Sequence, residues 1–214
     1  MDLKGFKKMP TTQNKQITHE FYTQERWTNW LKQVEESDFK LSEDEEESKD
    51  GAIFVNMQDD VILACLKVIA KHQNGEYDAE ETDDILASIQ DIVLEKPENI
   101  SEDAEIMIES LQNSFVAAFA SFEKYLYEDF DADANIEDLI DEAVKAEEAE
   151  DIDGALDLIA QIGALVLSEK ELPAEKLEEM PYGFVAELMD GIDSIEAAMV
   201  GADSYKEDDG DYEI

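Results

Sequence analysis

SEDAEIMIESLQNSFVAAFASFEKYLY, residues 101–127, is the stretch whose reading decides the fold. Ile108, Leu111, Phe115, Phe119, Phe122 and Leu126 recur every three or four residues, so six large apolar side chains share one side of a helix. Ser101 stands where an N-cap belongs. Ala117, Ala118 and Ala120 leave room for neighbouring helices to approach closely. A helix this long with one unbroken apolar face needs partners of the same kind, and it forms the wall of a bundle.

The segments on either side repeat the pattern. Towards the C-terminus, Asn135 opens a helix carrying Ile136, Leu139, Ile140 and Val144, and Asp151 caps another with Leu156, Ile159 and Val166. Residues 172–178 add a short turn. Pro181 suits the first turn of the last long helix, along which Val185, Leu188, Ile192, Ile195 and Met199 step by three and four, and Gly201 closes it. Towards the N-terminus, Asp78 and Glu81 have the spacing of a capping box before the stripe of Ile85, Ile89 and Ile92, which Lys96 and Pro97 bring to an end. Val61, Cys65, Val68 and His72, with Ile62, Leu66 and Ile69 beside them, predict a central and mostly buried helix. Ile53 and Val55 suggest a short extended piece before it.

Residues 17–36 read as a first helix with Phe21, Trp27, Trp30, Leu31 and Val34 on a broad apolar side. The block SEDEEESKD at 42–50 has no apolar residue, and like-charge repulsion keeps such a run solvated. The expected organisation is therefore a mobile basic tail at 1–16 bearing Lys4, Lys7, Lys8 and Lys15, an aromatic-bearing helix at 17–36, and an acidic linker at 37–50. A helical bundle at 51–201 and an acidic tail at 202–214 follow. The fold class is all-α, an antiparallel bundle of about six or seven helices.

Charge narrows the functions. Fifty-seven Asp and Glu against 16 Lys and Arg give a formal charge of −41 over 214 residues. Such a field repels a nucleic-acid backbone and the anionic face of a bilayer, so direct nucleic-acid and membrane binding are not expected. Low hydropathy with high charge is also the composition of disordered chains. The 43% apolar residues, however, are gathered at helical spacing, and a chain of this size can bury a sizeable core. No apolar run is long enough to span a bilayer and the first residues lack a secretory pattern, which points to the cytoplasm. One cysteine, Cys65, cannot form an internal disulfide.

Candidate sites are few. Asp131, Asp133 and Asn135, with Glu142 at the twelfth position, offer side-chain oxygens where a calcium loop would have them. Ile136 stands where such a loop needs glycine and Asp138 where it is usually apolar, so the competing reading is an acidic helix connection capped by Asn135. Trp27 and Trp30 are either core residues of a docked first helix or an exposed aromatic patch that binds a partner. His19 and His72 lack a Glu three residues earlier, which is the pairing of di-iron bundles; His72 reads as a structural residue near a helix end, and His19 as a surface residue near a helix start. Cys65 reads as a buried apolar thiol. There is no phosphate-binding glycine motif and no nucleophile elbow. No catalytic residue and no cofactor are expected.

Residues 51–78, GAIFVNMQDDVILACLKVIAKHQNGEYD, together with the Trp27/Trp30 helix and the acidic helical remainder, resemble an uncharacterised family of acidic archaeal proteins found in methanogens and salt-adapted relatives. The resemblance implies a cytoplasmic archaeal protein and supplies no site residues. Lys outnumbers Arg by 15 to 1, a balance of moderate rather than extreme intracellular salt. The expected function is that of a non-enzymatic acidic adaptor for a basic protein partner. The alternatives are a salt-adapted helical protein whose charge serves solubility alone, and a protein that responds weakly to divalent cations.

Overall fold

The computed structural model describes residues 21–41, 51–98 and 100–201. Among them are eight helices and no strand: α1 (Gln24–Ser37), α2 (Ala52–Gln73), α3 (Ala79–Val93), α4 (Glu102–Leu126), α5 (Ile136–Glu148), α6 (Ile152–Leu167), α7 (Ala174–Glu178) and α8 (Phe184–Gly201). Seven are long enough to build walls; α7 is the short turn foreseen near 172–178. The tails at 1–16 and 202–214 and the charged block at 42–50 lie outside the described residues.

Local chemistry starts most of these helices. Thr23, Asp78, Ser101, Asn135 and Asp151 each accept a hydrogen bond from a backbone N–H of the first turn, which satisfies a donor that the helix itself cannot. At α3 the box is reciprocal: Glu81 N–H donates to Asp78 Oδ1 at 2.9 Å, and Asp78 N–H donates to Glu81 Oε2 at 3.3 Å. Helix ends are less conventional. Asp38, Glu128, Glu150 and Glu169 hold φ between +51° and +68°, a left-handed conformation usually left to glycine, and they turn the chain after α1, α4, α5 and α6.

α4 is the central helix and packs against α2, α3, α6 and α8. Its face is the one the sequence marked: Ile108, Leu111, Phe115, Phe119, Phe122 and Leu126 are all buried. Two crossings depend on missing side chains. A Cβ on Gly191 of α8 would lie 2.1 Å from the Ser114 carbonyl oxygen, and one on Gly163 of α6 would lie 2.0 Å from Ser121 Oγ. Glycine at those points lets α8 and α6 seat directly on α4, so the small residues that matter most are on the partner helices.

Three expectations give way. Residues 53–55 are not extended, because α2 begins at Ala52: Phe54, Met57 and Val61 repeat at helical spacing and bury only as a helix. The first helix starts at Gln24 rather than at 17, since Thr23 supplies its cap; residues 17–20 lie outside the described part. Pro181 precedes the last helix instead of joining its first turn, because α8 takes its cap from α5: Glu147 accepts from the N–H groups of Phe184 (2.6 Å) and Val185 (3.2 Å). The segment after α1 also enters the core, where Phe39 is buried edge-on against Phe54 with centroids 5.0 Å apart.

Candidate functional site

The C-terminal turns of α4 and the first half of α6 line a cleft of about 590 Å³. Its floor is apolar, made by Ala120 of α4 and Leu156 and Ala160 of α6. Its rim is acidic: Glu123, Asp129, Asp153 and Asp157. Lys124 is the cation of the cleft; its Nζ lies 2.8 Å from Asp157 and 3.6 Å from Asp129. Burial favours the neutral amine, but the two carboxylates outweigh it and hold the Lys124 pKa above the ordinary lysine value. Tyr127, also in the lining, donates to Asp83 of α3 at 2.9 Å, a bond that raises the phenol pKa. The arrangement combines a place for apolar side chains with a surplus of carboxylates around it. It holds no nucleophile paired with a base.

A second cluster fixes α1 to α2. Arg26 Nε donates to Asp60 Oδ2 at 2.9 Å and the Arg26 guanidinium also pairs with Oδ1; Trp30 Nε1 donates to the same Oδ2 at 2.7 Å. The guanidinium lies 5.2 Å from the centroid of the Tyr22 ring, a cation–π distance. Burial, then the neighbouring Asp60 charge, pushes the Tyr22 phenol far above its usual pKa. Trp27 is wholly buried, with Phe115 of α4 edge-on to it at 6.4 Å. The Tyr22 hydroxyl and Trp27 Nε1 are buried with no hydrogen-bond partner among the described residues.

The profile of a family described as uncharacterised proteins conserved in archaea, DUF2150, matches residues 20–208. The chain belongs to this family. No curated protein and no solved structure matches it. The match runs from just before α1 to beyond α8, so in this DUF2150 chain the α1 anchor and the α4–α6 cleft both fall inside the family's span.

The residues singled out from the sequence of this DUF2150 member are placed as follows. Of the two tryptophans, Trp27 presents no surface and Trp30 is half-buried with its indole N–H on Asp60, so α1 is docked. Asp131, Asp133, Asn135 and Glu142 are exposed and are not gathered into a metal-holding cluster; among the described residues no group of three or more acidic, His or Cys side chains is. The reason is local. Asp131 Oδ1 accepts the Asp133 N–H, Asn135 Oδ1 accepts the Asp138 N–H as the α5 cap, and Glu142 lies beyond the first turn of that helix. His72 is in the last turn of α2 with Nδ1 3.2 Å from the Tyr77 carbonyl oxygen. Cys65 is buried, and burial pushes its thiol far above the ordinary range, as for an inert core cysteine. His19 lies outside the described residues.

The cleft itself went unread. Residues 120–129 and 153–160 look like the exposed faces of two ordinary amphipathic helices, and their pairing is a fact of tertiary packing. Asp60 was missed for the same reason, being one of 57 acids with nothing local to distinguish it from the rest.

Proposed function

We propose that this protein is a non-enzymatic, cytoplasmic adaptor whose α4–α6 cleft receives a basic, amphipathic segment of a protein partner. The observation that carries the reading is the cleft's division into an apolar floor of Ala120, Leu156 and Ala160 and a rim of Glu123, Asp129, Asp153 and Asp157. A segment with leucine-like side chains on one side and lysines on the other satisfies both. Apolar contact supplies affinity, and charge steers the encounter and sets orientation.

A second reading has its own observation: carboxylates lie exposed on every long helix, so the charge can serve solubility in a salty cytoplasm without any partner. The two separate in a binding experiment. A short synthetic peptide of leucine and lysine is titrated by calorimetry into the full chain, into a Glu123→Gln, Asp153→Asn double variant, and into a Glu175→Gln, Glu178→Gln control on α7. The adaptor reading expects the cleft variant to weaken binding about tenfold, roughly 1.4 kcal/mol, with the control unchanged. Equal weakening in both variants means diffuse attraction to a negative surface, and the reading fails in favour of salt adaptation.

A further inference from the structure

The described chain begins at Phe21, and where it begins bears on the cleft. The Phe21 ring packs edge-on to Tyr77 in the turn between α2 and α3, with centroids 6.3 Å apart. From that same end of α2, Gln73 Nε2 donates to Tyr125 Oη on α4 at 2.9 Å. Two residues further on, Tyr127 of the cleft reaches Asp83 near the start of α3. Phe21 therefore stands at the end of the bundle where the cleft's Tyr127, Lys124 and Asp129 lie. Twenty residues precede Phe21, and at about 3.3 Å each they span about 65 Å when extended, more than the ~37 Å length of α4.

Charge and pattern agree with the geometry. Residues 1–16, MDLKGFKKMPTTQNKQ, carry Lys4, Lys7, Lys8 and Lys15 against Asp2 in a protein of net charge −41. Apolar residues alternate with those lysines at Leu3, Phe6 and Met9. The rim presents four carboxylates against the one ammonium of Lys124, so segment and cleft have matching and opposite excesses.

We infer that the α4–α6 cleft of the free protein is occupied by the chain's own segment 1–16, which a basic partner must displace. The inference rests on the function proposed for the cleft and adds its regulation: the tether supplies a local concentration that an incoming segment has to exceed. Partners with few lysines or a short apolar face are thereby excluded.

Zero-length carbodiimide cross-linking of the full chain, read by mass spectrometry on an equal mixture of light and 15N-labelled protein, tests it. The expected result is amide links from Lys4, Lys7 or Lys8 to Glu123, Asp129, Asp153 or Asp157 within single copies, falling at least about fivefold in 1 M KCl, where screening acts beyond ~3 Å. Links scattered over other helices, links joining light to heavy chains, or no such links overturn the inference. In parallel, Lys4→Gln, Lys7→Gln, Lys8→Gln protein should bind the leucine–lysine peptide about two- to tenfold more tightly than the unaltered chain. Equal affinity also overturns the inference while leaving the adaptor reading intact. A peptide that fails to bind even this variant, with the cross-links present, removes the adaptor reading and leaves the cleft as the segment's own seat.

Discussion

Asp60 takes two hydrogen bonds from Arg26 and one from Trp30 while its side chain is only 17% exposed, so it joins three groups that the sequence spreads over 34 residues. A pair half open to water is usually worth little, because solvent screens it and ordering two side chains costs entropy. Here one partner is an indole N–H and the shared carboxylate is partly withdrawn, which favours a larger value. Asp60→Ala is expected to destabilise the protein by about 2 kcal/mol, the scale of hydrogen bonds to a charged group. Both tryptophans report the change, and they report it differently. Trp27 should keep blue-shifted emission because Phe115 and the core still cover it, whereas acrylamide, being neutral and indifferent to the −41 charge, should quench Trp30 more. An unchanged melting curve with unchanged quenching would place this cluster among the ion pairs that contribute nothing measurable.

At the scale of elements, α8 shows how a helix start can be hidden from its own sequence. Pro181 is a reasonable N-terminal signal, but the orphan N–H groups of Phe184 and Val185 are met by Glu147, which lies 37 residues before Phe184. Gly183 belongs to the same device, since a Cβ there would meet Glu147 Oε1 at 2.6 Å. A carboxylate at a helix N-terminus gains from both the hydrogen bonds and the dipole. Glu147→Ala should therefore cost about 1–3 kcal/mol, and hydrogen exchange should quicken in the first turn of α8 while the α4 amides keep their order of protection. Uniform loss of protection would mean that the cap is a global contact. The contrast explains what was legible: α3, α4, α5 and α6 are announced by caps within three residues of the helix and by apolar stripes, both of which are local. The α4–α6 cleft, the Asp60 cluster and the Glu147 cap each join residues more than about 20 positions apart. Periodicity says that a face is buried, but not which face meets it.

For the whole molecule the dominant quantity is charge. Lysines are too few to balance it: even where they pair, as Lys32 with Glu36, Lys71 with Glu76, Lys96 with Glu105 and Lys176 with Asp141, the 57 acids outnumber all 16 basic residues by 41. Folding brings those carboxylates closer together than the unfolded chain does. Asp190 on α8 records the consequence, its pKa raised by partial burial and by the charges of Asp193 and Glu187. A carboxyl whose folded pKa is raised takes up its proton in the folded state first, so its contribution to stability grows as pH falls from neutral through that raised value towards the ordinary carboxylate range. Added salt acts on the same repulsion without titrating anything. The screening length shrinks from ~30 Å at 0.01 M to ~10 Å at 0.1 M and ~3 Å at 1 M. Most of the relief should therefore come in the first few tenths molar. We expect the melting temperature to rise by roughly 5 °C between 0.01 and 0.5 M KCl, equivalent to about 1–2 kcal/mol for a chain of this size, and then to level off. Replacing chloride by sulfate at matched ionic strength separates screening from surface exclusion: screening gives the same early rise with either anion, whereas exclusion gives a steeper, non-saturating rise with sulfate. A curve flat from low to molar KCl would show that the folded bundle already spaces its carboxylates as widely as the unfolded chain, and self-repulsion would cease to be a force that shapes this protein.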